Sequence, residues 1–180
     1  PVFSLILFTT LILSLRIKRR PVARLGLLFA ALYMSLGYVQ LQRAQQVAES
    51  LIASRGHVPL RNIVKPTLAN LILWRSVYIY NDRIYVDAVR LGMFSKNKIY
   101  QGSSVKKFSL TKDMVGLNTS SVLYKDIKRF EAFSDGYIAM VSPEKNVIGD
   151  IRYSMLPDQT EPLWGIVINN KQPQVHADYK

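Results

Sequence analysis

Val22 to Ile52 reads VARLGLLFAALYMSLGYVQLQRAQQVAESLI, and its reading decides the fold. Leu25 to Val39 carries no charge. Beyond it, Gln40, Gln42, Arg43, Gln45 and Gln46 interleave with Leu41, Ala44, Val47, Ala48, Leu51 and Ile52. Apolar positions at three- and four-residue spacing mark one packed helical face. No proline falls between Pro21 and Pro59. The pattern predicts one unbroken helix whose first half lies in a bilayer and whose second half packs on a water-soluble domain. Counted from Val22 to Leu41, the apolar part has the roughly 20 residues that a span needs. Arg55-Gly56-His57 should stop the helix, with Gly56 at its C-cap.

Upstream, Pro1 to Leu15 (PVFSLILFTTLILSL) is apolar but short for a span, and the basic run RIKRRPVAR, Arg16 to Arg24, follows it. A signal peptide has its positive charge before the apolar run, not after it. The expectation is therefore a transmembrane helical hairpin over residues 1–40, its first span cut short, with the chain a piece of a longer protein. By the positive-inside rule the basic loop is cytoplasmic, which puts the C-terminal domain on the opposite side of the membrane.

The remainder reads as an amphipathic connecting helix over 41–57, a small α+β domain over 58–170 and a flexible tail over 171–180. Trp74 to Arg90 (WRSVYIYNDRIYVDAVR) predicts a hairpin turning at Asn81-Asp82, with Val77 and Ile79 facing the same way as Ile84, Val86 and Ala88. Pro66 to Asn70 should open a short helix and Gly102 to Ser104 a loop. Leu110 to Gly116 fits a short helix, and Ser120 or Ser121 should cap another running to about Ala132. Further strands are expected at Tyr137–Ser142, Asn146–Met155 and Leu163–Ile168. The sum is a mainly antiparallel sheet of about five strands with one or two helices.

The chain carries 24 basic and 12 acidic residues, a net charge of +12, and no cysteine. Disulfides and Cys-ligated metals are excluded. Residues 55–180 alone hold eighteen basic against eleven acidic side chains. Such a surface suits anionic lipid headgroups. Nucleic acid is set aside, because the domain lies away from the cytoplasm and no basic-aromatic motif is present.

Catalytic signals are few. His57 and His176 stand in no metal-binding spacing, and neither a Gly-x-Ser-x-Gly elbow nor a phosphate-binding glycine loop occurs. Two Ser-x-x-Lys matches, at Ser95 and Ser104, lack their companion motifs. Asp150 and Arg152 are two apart in an apparent strand, which puts both on one face. Such a pair serves as a structural ion pair, a substrate clamp or a support for a metal ligand. Arg75 beside Trp74 is a similar case.

Pro66-Thr67, Asn70, Leu73-Trp74-Arg75, Phe130-x-x-Phe133-Ser134, Gly149-Asp150-Ile151-Arg152-Tyr153 and Trp164-Gly165-Ile166 occur in that order after the membrane segment. Together they resemble the C-terminal half of bacterial inner-membrane metal-dependent hydrolases of the YdjM type, over roughly residues 43–169. The resemblance implies a hydrolase at the inner membrane acting on an anionic, lipid-like substrate. Its divalent metal, such as zinc or manganese, would be bound mainly by a preceding half of the protein. In this chain it points to Asp150 and Arg152 as catalytic and to Asn70, Trp74, Arg75 and Tyr153 as substrate-binding, with no metal ligand. The alternative is a membrane-tethered binding module, not an enzyme, for lipid headgroups or a partner protein.

Overall fold

The computed structural model describes residues 2–17, 20–92 and 95–179. Two helices lead. Helix α1 spans Val2–Ile17 and α2 spans Arg20–Ser54. Phe3 stacks on Tyr33 at 6.1 Å between ring centroids. Gly26 meets Thr10 so closely that a Cβ there would lie 2.5 Å from the Thr10 hydroxyl. Both contacts fit antiparallel packing of α1 on α2. Among the described residues only α2 is long and apolar enough to cross a membrane, so the expected two-span hairpin reduces to one long apolar helix with a shorter one against it. Lys18 and Arg19, at the centre of the basic loop, lie outside the described residues.

The second half of α2 packs on the domain through Ala44 and Ala48, both fully buried, and through Leu51 and Ile52. It ends as expected. Gly56 sits at φ +67°, Gly56 N–H donates to Ala53 O at 2.9 Å, and His57 N–H donates to Ile52 O at 3.2 Å. A left-handed residue just past the helix is the ordinary use of glycine there.

In place of one sheet there are two antiparallel sheets of four strands. The first runs β1 (Arg61–Pro66), β2 (Leu73–Tyr80), β3 (Arg83–Arg90), β4 (Lys98–Lys106), in that order. Asn81 and Asp82, at φ 48° and 57°, form the two-residue turn between β2 and β3, and Val77 faces Val86 while Ile79 faces Ile84. Two segments differ from expectation. Pro66 to Asn70 is a turn and not a helix, because Thr67 donates both its N–H and its hydroxyl to Leu73 O and so folds the chain back. Gly102 to Ser104 stays within β4, as a bulge opposite Tyr85 to Asp87.

The second sheet runs β5 (Ile138–Ser142), β6 (Val147–Asp150), β7 (Gly165–Val167), β8 (Asp178–Tyr179). Between the sheets in sequence come α3 (Leu110–Asp113) and α4 (Val122–Phe133), the latter capped by Ser121, whose hydroxyl accepts from Tyr124 N–H. Strand β6 ends at Asp150, short of the expected Met155, because the Asp150 carboxylate accepts the Arg152 N–H and closes a turn. The tail, expected to be free, is docked. Leu123 N–H donates to Pro173 O, Ala177 N–H to the Asp126 carboxylate, and β8 pairs with β7.

Four layers result. Trp74, Val89 and Leu91 pack with Ala44 between α2 and the first sheet. Val77, Ile79, Ile84 and Val86 meet Tyr137, Ala139 and Ile151 between the sheets. Ile138, Ile148, Ile166 and Ile168 meet Phe108, Leu123 and Ile127 under the short helices. Where α2 ends, Arg55 grips the buried Asp87 with two hydrogen bonds of 2.7 and 2.8 Å. It also donates to the Tyr78 hydroxyl, which bonds His57 Nδ1 at 2.9 Å. His57 stacks on Tyr80 and tilts on Tyr85.

Candidate functional site

Helix α4 lays Leu123 and Ile127 on the second sheet, but its last turn overhangs it, leaving Phe133 65% exposed. Strand β8 is only two residues long. Between α4 and the β7–β8 edge a cleft of about 710 Å³ stays open. Its walls are Phe130, Phe133, Trp164, Ile166, Ala177 and Tyr179. At the rim Asp126 takes hydrogen bonds from Ala177 N–H, His176 (2.9 Å) and Arg129 (3.3 Å). Burial pushes the Asp126 carboxyl up. The bonds from His176 and Ala177, with the charge of Arg129, outweigh it and hold the group below the usual carboxylate range.

The pair that the sequence singles out does not line the cleft but lies behind two of its walls. Asp150 is fully buried. Its Oδ1 accepts from the Arg152 backbone N–H and Nε, each at 3.0 Å, and its Oδ2 accepts from Arg152 Nη2 at 2.7 Å. The Trp164 indole N–H reaches Oδ2 at 3.4 Å. Arg152 Nη2 also donates to Phe133 O at 2.8 Å. The ion pair therefore orients two walls of the cleft, Trp164 and Phe133. Tyr153 leans on Trp164 with centroids 4.6 Å apart, and its hydroxyl accepts from Lys65 Nζ at 2.7 Å.

The other named residues lie elsewhere. Arg75 is buried between the sheets, where Nη2 donates to Ile151 O at 2.7 Å and Nη1 to Leu156 O and Pro157 O. Burial pushes its guanidinium down to about 10. Its two Nη groups tie the 151–157 turn and its Nε is buried without a partner, so the guanidinium faces the turn and not a cleft. Asn70 and Trp74 sit beside α2. Asn70 Oδ1 accepts the N–H groups of Ile72 and Leu73, and Trp74 Nε1 donates to Leu71 O. None of the three lines the cleft.

Asp150 cannot readily serve as a general base while a guanidinium, an amide and an indole occupy its oxygens. A metal finds no better host. No group of three or more His, Asp or Glu placed to hold one occurs among the described residues. In the sequence Trp164, Phe130 and Phe133 stand within a motif string, and His176 stands in no metal-binding spacing. Nothing local in the sequence signals that His176 returns to Asp126, fifty residues away. Scans of family models, of curated proteins and of solved structures each found no match to this chain, so the geometry of the cleft carries the functional reading.

Proposed function

We propose that the protein is a membrane-tethered binding module whose cleft between α4 and β7–β8 takes the apolar part of a lipid-like amphiphile. The observation that carries this reading is the cleft itself. Its volume of about 710 Å³ falls in the range of small-ligand sites, and its walls are aromatic and aliphatic with a few convergent polar groups. Arg129 and His176, both largely exposed at the rim, suit an anionic headgroup. In this reading α2 crosses the bilayer, and the basic residues of 16–24 keep that end cytoplasmic, with the domain on the far side of a bacterial inner membrane. The metal-dependent hydrolase reading rests on the resemblance alone.

The test is saturable binding of a fluorescent fatty acid to the full chain in lipid nanodiscs, against empty discs. Phe133→Asp places a charge on an exposed wall and should weaken binding about tenfold while leaving thermal unfolding unchanged. A chelator should leave binding as it was. Absence of saturable binding by the wild type, or equal binding by Phe133→Asp, overturns the proposal. Stoichiometric zinc or manganese in the purified chain would bring the hydrolase reading back.

A further inference from the structure

One end of the first sheet lies where the apolar run of α2 stops. A Cβ at Gly37 would touch the Leu71 side chain at 3.7 Å. The buried Gln40, the first polar residue after the run, donates from Nε2 to Leu71 O at 3.1 Å. Three residues on, Arg43 donates to Gly92 O at 2.9 Å. The β1–β2 turn and the start of the β3–β4 connection are thus fastened at the exit point of α2. The opposite end holds the Asn81-Asp82 turn, His57 and α3, joined by ion pairs of Lys112 with Asp82 and Lys106 with Asp113.

What the exit end shows is unusual for a water-facing turn. Leu68 is 97% exposed at its tip, with Ile72 also exposed. The turn is not loose. Thr67 bonds Leu73 O, Asn70 bonds Thr67 and the N–H groups of Ile72 and Leu73, and Ala69 is held at φ 65°, a conformation that a non-glycine residue rarely adopts. Backbone strain of this kind persists where the surroundings fix it, and here they fix the presentation of Leu68. A second turn stands nearby with Met155 82% exposed and Leu156 beside it, tied down by Arg75. A small cavity lined by Ile72, Leu73, Arg90 and Pro157 joins the two. Around these apolar tips lie exposed cations. Arg90 and Lys98 face each other across the end of β3 and β4, and Lys96 is adjacent. Asp158, half-buried, is the acid of that small cavity.

We infer that this end of the domain is a second membrane contact: Leu68, with Met155 and Leu156, enters the interface of the bilayer that α2 crosses, and Arg90, Lys96 and Lys98 meet anionic headgroups. Apolar tips ringed by lysine and arginine match an anionic lipid surface in both chemistry and charge. Continuity with α2 chooses this occupant, since the tips are fastened at the depth where the helix leaves its apolar run. Asn70, Trp74 and Arg75 then act as positioning residues for the two tips. The inference rests on the reading that α2 crosses the membrane, and the experiment separates the two.

The chain has no cysteine, so single cysteines carry a fluorophore cleanly. Leu68→Cys, Leu32→Cys on α2 and Val115→Cys, exposed at the far end, are labelled and reconstituted as full chains into phosphatidylcholine vesicles with and without phosphatidylglycerol. Lipids carrying a quencher on the acyl chain report depth. Each variant is first checked for parental thermal unfolding. The expected result is quenching at Leu68 approaching that at Leu32, none at Val115, and stronger quenching at Leu68 with phosphatidylglycerol than without. Adding Lys96→Glu and Lys98→Glu should remove that last difference. Quenching at Leu32 without quenching at Leu68 overturns the second contact and leaves the span standing. No quenching at Leu32 overturns both.

Discussion

Tyr137 is fully buried between the sheets, and its hydroxyl has no hydrogen-bond partner among the described residues. Burial pushes its phenol up to about 12. A folded-state value above the unfolded one means stability that is complete below pH 10 and lost as pH rises towards 12. Tyr137→Phe deletes the orphaned hydroxyl. It should gain about 1 kcal/mol at neutral pH and flatten the alkaline decline in a urea titration. Arg75, held down by burial, slopes the other way in the same window, so the comparison must be with the parent at each pH. Asp150 and Arg152 make the opposite case, a buried group fully answered. Arg152→Ala strands the carboxylate and should cost about 3–5 kcal/mol. A double-mutant cycle with Asp150→Ala should return a coupling of about 1–3 kcal/mol. Their adjacency was legible in the sequence, though for a reason that did not hold. The two share a turn that the carboxylate itself closes, not a strand face.

Local chemistry decided which elements could be read in advance. The β2–β3 hairpin, the glycine stop of α2 and the serine cap of α4 each follow from residues within a few positions of one another. The four-strand count of each sheet does not, since β8 is two residues long and gains its place only by pairing with β7. Pro66 to Asn70 looked helical because a threonine after a proline is a fair cap. The bond from Thr67 to Leu73 O outbid that local preference. Ser121 is buried, donates its hydroxyl to Asn118 O at 2.6 Å and accepts from Tyr124 N–H. Ser121→Ala should therefore destabilise the domain by about 1–2 kcal/mol. Loss of helical signal on melting at a lower midpoint, with the same cooperativity, would be its mark.

At the scale of the molecule, the C-terminal end of α2 and the first sheet are joined by a polar knot, as its exit end is by Gln40 and Arg43. Arg55→Ala would leave Asp87 buried and uncompensated, at about 3–5 kcal/mol, and amides from Ala44 to Gly56 should exchange faster with deuterium than in the parent. If their protection is unchanged, the apolar contacts of Ala44 and Ala48 with the bonds of Gln40 and Arg43 hold the joint without it. The knot was not visible in sequence, because Arg55 stands more than twenty residues from Tyr78 and Asp87 and meets them only once the strands pair. The amphipathic turnover at Gln40, in contrast, could be read directly: the helix runs on unbroken and its second half packs on the first sheet.

That helix has no proline in its interior, and 35 residues at about 1.5 Å each make a rod of roughly 50 Å. With its first half in lipid, as proposed, and its second half bolted to the sheets, it acts as a lever without a hinge. A thinner or thicker bilayer changes the tilt of a spanning helix. Here any such change must swing the whole domain, so bilayer thickness becomes a mechanical input to the attitude of the cleft above the surface.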